Sequence, residues 1–395
     1  MRPSASSVAA RVGTVYVLLF ATEAAWLAMV PLAPRFAERL GLSPFETGAV
    51  LAVAGLAMLA VALPAGLAAD RLGAHRLTLA GGAVLVGAHV WQGLAGSYAE
   101  LLAARTLFGV GMGVVWTAGL ALLSAVPDGR RRSLALGGTI TTAGAASVTG
   151  PVAAGYLGDE VGLGAPFLAL AVLTGLATAV LALTPAAAPG SRPGRAPLAR
   201  SLARGASERY VLAAVLLMVL LGLVNGAVNL LVPLELRANG MSAGEIGLAF
   251  SASSAVFLVA TIAVTRAAGR GRGLGLAGIA AGAYALLLGV PFVTTATAAL
   301  LVFVVVRGPA WAAISTLPYP LGAMGAERAG IGHGTVVGVL NVAWGASNAL
   351  GPLASGGLAG LGGSRLGLVP AICVCLAVAA WLLSTSAQRS REALA

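Results

Sequence analysis

Three ionisable side chains interrupt long apolar runs in this 395-residue chain: Glu23, Arg105 and Arg307. A charge held in an apolar medium is costly and persists where it faces a cavity or a partner, so these three are where chemistry is expected. At 1.5 Å per helical residue, Glu23 lies roughly 15 Å into its run and Arg307 roughly 15 Å into its own, while Arg105 is about 9 Å from an end. Depth therefore makes Glu23 and Arg307 natural partners. Glu23 has two readings: a proton carrier that exists in both protonation states during a cycle, or one half of a structural ion pair that stays ionised. Aromatic and amide side chains accompany the charges. Trp26 follows Glu23 by three residues, Trp116 follows Arg105 by eleven and Trp311 follows Arg307 by four. Asn225 and Asn229 share a helical face, as do Asn341, Trp344 and Asn348. Indoles and scattered amides around an apolar space suit an amphipathic or aromatic compound better than a sugar, and they serve helix packing equally well. His89 is expected to be a packed histidine.

The elements that carry these residues are set by composition. Hydrophobic residues make up 58% of the chain and charged residues 9%, against roughly a quarter charged in soluble domains. Apolar segments of about 20 residues read at 13–34, 45–69, 77–96, 99–124, 134–157, 163–184, 210–234, 243–265, 273–293, 296–321, 333–359 and 367–385. They predict an all-α membrane protein of twelve transmembrane helices in two sixes, with kinks in the Gly- and Pro-rich tenth and eleventh. The net charge of +11 is carried entirely by Arg. Eighteen arginines fall in the tails and even-numbered loops against four, Arg35, Arg39, Arg237 and Arg365, on the other side. That bias follows the positive-inside rule and places both termini in the cytoplasm; it argues against nucleic acid. The Ala, Gly and Arg richness without Lys suggests a bacterial inner (plasma) membrane protein from a GC-rich genome. Glu23 and the lack of a small-residue cleavage site make the first run a retained helix. No nucleophile elbow and no phosphate-binding loop with Lys is present, so an enzyme or ATP-driven pump is not expected. Neither a metal site nor a cofactor is expected.

The chain repeats itself. GLSPFETG from Gly41 and GMSAGEIG from Gly240 share Gly, Ser, Glu and Gly at an offset of 199, and GAASVTGPVAAG from Gly144 and GASNALGPLASG from Gly345 are in step at 201. Self-similarity at half the chain length predicts a parallel duplication: an N-terminal bundle over 1–185, a Pro-, Ala- and Arg-rich cytoplasmic linker over 186–209, and a C-terminal bundle over 210–395. Within the linker, 198–209 suits either a basic amphipathic surface helix or plain solvated chain.

GLAADRLGAHR, from Gly66 to Arg76, resembles the loop motif of the major facilitator superfamily, G-x-x-x-D-R-x-G-x-R-R. The matches fall at Gly66, Asp70, Arg71, Gly73 and Arg76, with His75 replacing a basic residue. On physical grounds Gly66 permits close helix approach, Gly73 a tight turn, and Asp70 hydrogen bonds or ion pairs at the cytoplasmic face. The resemblance implies that this loop latches the two halves in one state; the second-half counterpart from Thr265 lacks the acid. Arg105 and Gly109 look like the superfamily's R-x-x-x-G pattern. Gly150, Pro151 and Gly155 are similar to its antiporter-associated G-P-x-x-G-G motif, with Ala154 in place of one glycine. Gly351, Pro352 and Gly356 repeat that pattern, as helix packing alone would also require. Two pseudo-symmetric six-helix bundles of the major facilitator fold follow from the resemblance. In that arrangement helices one, four, seven and ten line the cavity, and the three charges fall on one, four and ten.

The combined expectation is a monomeric, proton-coupled efflux transporter for small amphipathic compounds, with the lipid bilayer, protons and a small molecule as its partners. Exchange or import of a small organic anion is the alternative, since two cavity arginines against one glutamate would welcome one. A non-transporting sensor of the same fold is the third.

Overall fold

Lipid offers backbone N–H and C=O groups no partner, and a helix satisfies them within one segment. The computed structural model describes residues 5–126, 129–185, 208–267 and 273–392, and every regular element among them is helical. The first half contains α1 (Ala5–Leu40), α2 (Pro44–Leu72), α3 (Ala74–Leu94), α4 (Tyr98–Ser124), α5 (Gly129–Glu160) and α6 (Ala165–Ala182). The second contains α7 (Arg209–Ala238), α8 (Ala243–Ala267), α9 (Gly273–Val293), α10 (Thr297–Val306), α11 (Gly308–Thr316), α12 (Pro318–Ala329) and α13 (His333–Glu392). Residues 186–207, and with them most of the expected linker and its surface helix, lie outside the described residues, as does 268–272 in the loop after Thr265.

Ten helical runs among the described residues are long and apolar enough to cross a membrane. The expected twelve is not reached by that measure, for two reasons. α5 has the length, at 32 residues, but opens on Arg130, Arg131 and Arg132 and is rich in Gly, Thr and Ser. α13 continues for 60 residues, roughly 90 Å against a hydrocarbon core of about 30 Å. Its path breaks at Gly362 and Gly363, and Gly363 takes φ 79°, where a side chain would be strained. α10, α11 and α12 form one interrupted run over Thr297–Ala329. It is broken at Arg307 and Leu317, next to Gly308–Pro309 and Pro318.

The chain divides into two compact units. One holds the described residues of Met1–Leu42, Ala49–Pro193 and Met241–Ser251; the other holds those of Ser43–Gly48, Gly194–Gly240 and Ala252–Ala395. In the first unit α1 packs on α5 and α6, and α3 on α4 and α6. Leu18, Leu19, Leu85, Phe108 and Val115 form one wholly buried cluster, and Met29, Leu32, Phe36, Leu101 and Phe167 another. Lipid tails are as apolar as these side chains, so close packing rather than water exclusion holds the helices together, and glycines set its closeness. The backbone of Ala54 occupies the space a Cβ at Gly109 would need, while a Cβ at Gly66 would meet only Thr117 Cγ2 at an ordinary 3.8 Å. Gly66 thus does not make the close helix approach expected of it; the tight contact between α2 and α4 is at Gly109. In the second unit α13 packs on α7 and α9.

Candidate functional site

Glu23 stands in the middle of α1, half-buried, with Ala21, Thr22, Ala24 and Ala25 buried on either side. Its carboxylate makes no hydrogen bond and no ion pair among the described residues. Gly150 brings α5 against α1 one residue further along, where a Cβ would lie 3.1 Å from Ala24 Cα. Trp26 and Trp116 are half-buried and pack against the cluster around Phe108, and the Trp116 indole N–H has no acceptor among the described residues.

Arg105 is enclosed within its own unit, at 1% exposure. Its Nε donates to the Val50 carbonyl at 3.3 Å and its Nη1 to Gln92 Oε1 at 3.4 Å. The guanidinium lies 4.9 Å from the Phe108 ring centre and 5.7 Å from that of Trp26. The expected cavity cation is thus turned toward α2 and α3. His89, one turn from Gln92, is wholly buried 5.7 Å from Phe108, and neither ring nitrogen has a hydrogen-bond partner among the described residues.

In the second unit Arg307 occupies the break between α10 and α11 at 6% exposure. Its Nη1 donates to Tyr284 Oη at 3.0 Å, and its guanidinium lies 5.8 Å from the Trp311 ring centre. Tyr284 and Trp311 are themselves in contact, with ring centres 5.9 Å apart. The amides form a row: Asn229 Nδ2 donates to Asn225 Oδ1 at 2.9 Å, and Asn225 Nδ2 to Asn348 Oδ1 at 3.0 Å. The last donor, Asn348 Nδ2, is buried and without an acceptor among the described residues. Trp344 is half-buried, whereas Asn341 is exposed and accepts from Tyr319 Oη at 3.4 Å. Gln92 and Tyr284 escaped the sequence reading. Gln92 was detectable as the one amide in the third apolar run, three residues after His89, but Tyr284 has no local signal, because its partner lies 23 residues on.

In the loop motif Asp70, Arg71 and Arg76 are exposed at the junction of α2 and α3, and Gly73 takes φ 89° in the turn. Asp70 has no hydrogen bond or ion pair among the described residues.

The duplicated motifs acquire a physical role. Gly41 and Gly240 both have positive φ and end the preceding helix. Ser43 with Glu46, and Ser242 with Glu245, make reciprocal capping boxes: the Ser N–H donates to the Glu carboxylate at 2.8 Å in each, and the Glu N–H to the Ser Oγ at 3.2 Å. The S-x-x-E spacing was a legible signal for these caps. The last glycine of each repeat abuts the other motif's backbone. A Cβ on Gly247 would collide with the Pro151 carbonyl, and one on Gly48 with that of Pro352. Conversely, a Cβ on Gly155 would collide with the Ala243 carbonyl, and one on Gly356 with that of Pro44. Each Gly-Pro motif therefore grips a helix start through bare backbone. This accounts for residues 241–251 grouping with the first unit and 43–48 with the second.

A family model described as the Major Facilitator Superfamily matches residues 15–334. The uncharacterized MFS-type transporter Rv1250 of Mycobacterium tuberculosis is 38% identical over 108 residues, 27% of this chain and 19% of that protein. The major facilitator superfamily multidrug transporter mfsC of Aspergillus fumigatus is 32% identical over 146 residues, 37% of this chain and 28% of that protein. The chain thus spans well under half the length of the curated relatives it matches. Among solved structures, a bacterial homolog of the human lysosomal transporter Spinster, inward-facing and unoccupied, superimposes with a TM-score of 0.73 at 16% identity, over 98% of this chain and 96% of that one.

Proposed function

This chain belongs to the Major Facilitator Superfamily, and from that premise we propose that it is a secondary active transporter that expels small amphipathic compounds in exchange for protons. Glu23 carries the reading. A half-buried carboxylate in the middle of an apolar helix, with no hydrogen bond or ion pair among the described residues, can gain and lose a proton without first breaking a contact. Arg307, fixed by Tyr284 and Trp311, is the proposed second member of the coupling pair. The proposed substrate-facing residues are Trp26 and Trp116 in the first unit and, in the second, Trp311, Trp344 and the amide row of Asn225, Asn229 and Asn348; indoles and amides together suit an amphipathic compound. The multidrug assignment of the Aspergillus relative supports the substrate class, over the region it shares with this chain. We place the protein in the plasma membrane of a bacterium as a monomer with both termini cytoplasmic.

Exchange of a small organic anion is the second reading. It is favoured by the buried cation Arg307, which sits at the break between α10 and α11 beside Tyr284 and Trp311.

The test is Glu23→Gln in liposomes. The substitution should abolish uptake of an amphipathic dye driven by a pH gradient while leaving counterflow, which needs no proton cycle. Gradient-driven accumulation equal to wild type would remove Glu23 from proton coupling.

A further inference from the structure

At the end of the first unit opposite Asp70, a charged arrangement lies outside everything the transport reading uses. Asp159, the penultimate residue of α5, accepts from the Gly244 N–H at 2.7 Å on Oδ2, and on Oδ1 from the Ala243 N–H at 3.3 Å and Arg35 Nη1 at 2.8 Å. Arg35 Nη1 also donates to the Gly158 carbonyl at 2.6 Å. Ala243 and Gly244 open α8, whose first N–H groups have no acceptor inside the helix and carry the positive end of its dipole. A carboxylate is the group that such a helix start attracts. Arg35 and Asp159 keep 26% and 21% side-chain exposure, and an exposed ion pair alone contributes little. The hydrogen bonds to the helix start are therefore the larger part of the grip. α8 itself changes company: residues 243–251 belong to the first unit, and the rest of the helix to the second.

The duplication supplies an internal control. At the offset of 201 Asp159 corresponds to Gly360, and at 199 Arg35 corresponds to Leu234 and Ala243 to Pro44. The second clasp has the same bare-backbone contacts at Gly48 and Gly356 but neither the acid nor the base, and Pro44 has no N–H to offer.

We propose that Arg35 and Asp159 form a charged latch on the first turn of α8, so that of two otherwise matched glycine clasps only the one between α5 and α8 is held electrostatically and must be unlocked when the transporter changes state. The proposal rests on alternating access and not on proton coupling or substrate identity. The latch also holds three separate stretches of chain, the ends of α1 and α5 and the start of α8, at one point.

The test is electron–electron double resonance on the full chain in lipid nanodiscs, with Cys373 and Cys375 replaced by Ser and Ala. One pair of spin labels goes on Val161→Cys and Leu248→Cys, and a control pair on Phe45→Cys and Leu361→Cys, all exposed positions. Asp159→Asn is expected to enlarge the long-distance population of the first pair on the order of tenfold, as befits loss of charge-assisted hydrogen bonds, and to leave the control pair unchanged. Arg35→Gln should give a smaller shift of the same sign. The exchange Arg35→Asp with Asp159→Arg rebuilds the ion pair but sets a cation on the helix start, and should stay released. Asp159→Glu, which keeps the charge, should lie near wild type and guards against a misfolded Asn variant. Identical distributions for wild type and Asp159→Asn, equal widening of both label pairs, or full rescue by the exchange would each overturn the latch. Neither substrate nor proton gradient enters the measurement, so it can fail while the transport assignment stands, and the reverse.

Discussion

Tyr284 decides what Arg307 can do. The phenol is wholly buried and accepts from the guanidinium at 3.0 Å, so Tyr284→Phe takes one acceptor from a buried cation while changing shape very little. The expected cost is about 1–3 kcal/mol, read as a lower melting temperature in detergent; an unchanged melt would mean that the hydroxyl does not fix the arginine. Arg307→Ala then separates the two transport readings. If the substrate is an organic anion, the lost charge-assisted contact of about 1.5–3 kcal/mol weakens its binding roughly ten- to a hundredfold. For a neutral or cationic amphipath the affinity should stay within a few-fold. Titrating both ligand types against the same variant by calorimetry gives the answer.

The helix starts and the Gly-Pro motifs act as one kind of element, and their glycines should be more sensitive than any residue around them. Gly247→Ala sets a methyl against the Pro151 carbonyl, and Gly155→Ala sets one against that of Ala243. Overpacking of this kind costs about 1–3 kcal/mol, expected as lost thermal stability together with greater reactivity of a cysteine placed at Ser251, whose hydroxyl accepts from the Val152 N–H at 3.2 Å. Unchanged labelling in both variants would show that the clasp tolerates side chains. The repeated glycines were visible in the sequence because identical spacing recurs at half the chain length, and the family resemblance lay in the loop after α2. That each motif grips the other was not visible, since a contact partner about 100 residues away, as for Gly247 and Pro151, or about 300, as for Gly48 and Pro352, leaves no trace in local spacing. Arg105 shows the same limit. Counting residues gives depth along a helix, but which way the side chain turns was decided by packing against Val50 and Gln92. α5 was legible despite its Gly, Thr and Ser content, since the apolar segment read at 134–157 lies inside the helix Gly129–Glu160.

Within the first unit the loop motif and the α5–α8 clasp lie at opposite ends, and among the described residues Asp70 is exposed and unpaired whereas Asp159 has three donors. Asp70→Asn should therefore leave the melting temperature of this state unchanged and leave substrate affinity within a few-fold, while slowing exchange between states. Stopped-flow transport paired with equilibrium binding would reveal it, and equal rates, or a large affinity loss at equal rates, would count against a latch in that loop. The four clasp glycines carry a separate consequence, for mutational history. A contact made between bare backbone and a carbonyl does not read the identity of any side chain, so the surrounding residues of the two duplicated halves are free to drift apart while Gly48, Gly155, Gly247 and Gly356 are not. In a saturation library selected for function, those four positions are expected to reject even alanine, and their neighbours Leu248 and Leu157, which are exposed, to accept almost any apolar residue. The repeated glycines mark the places where the protein needs an empty space rather than a side chain.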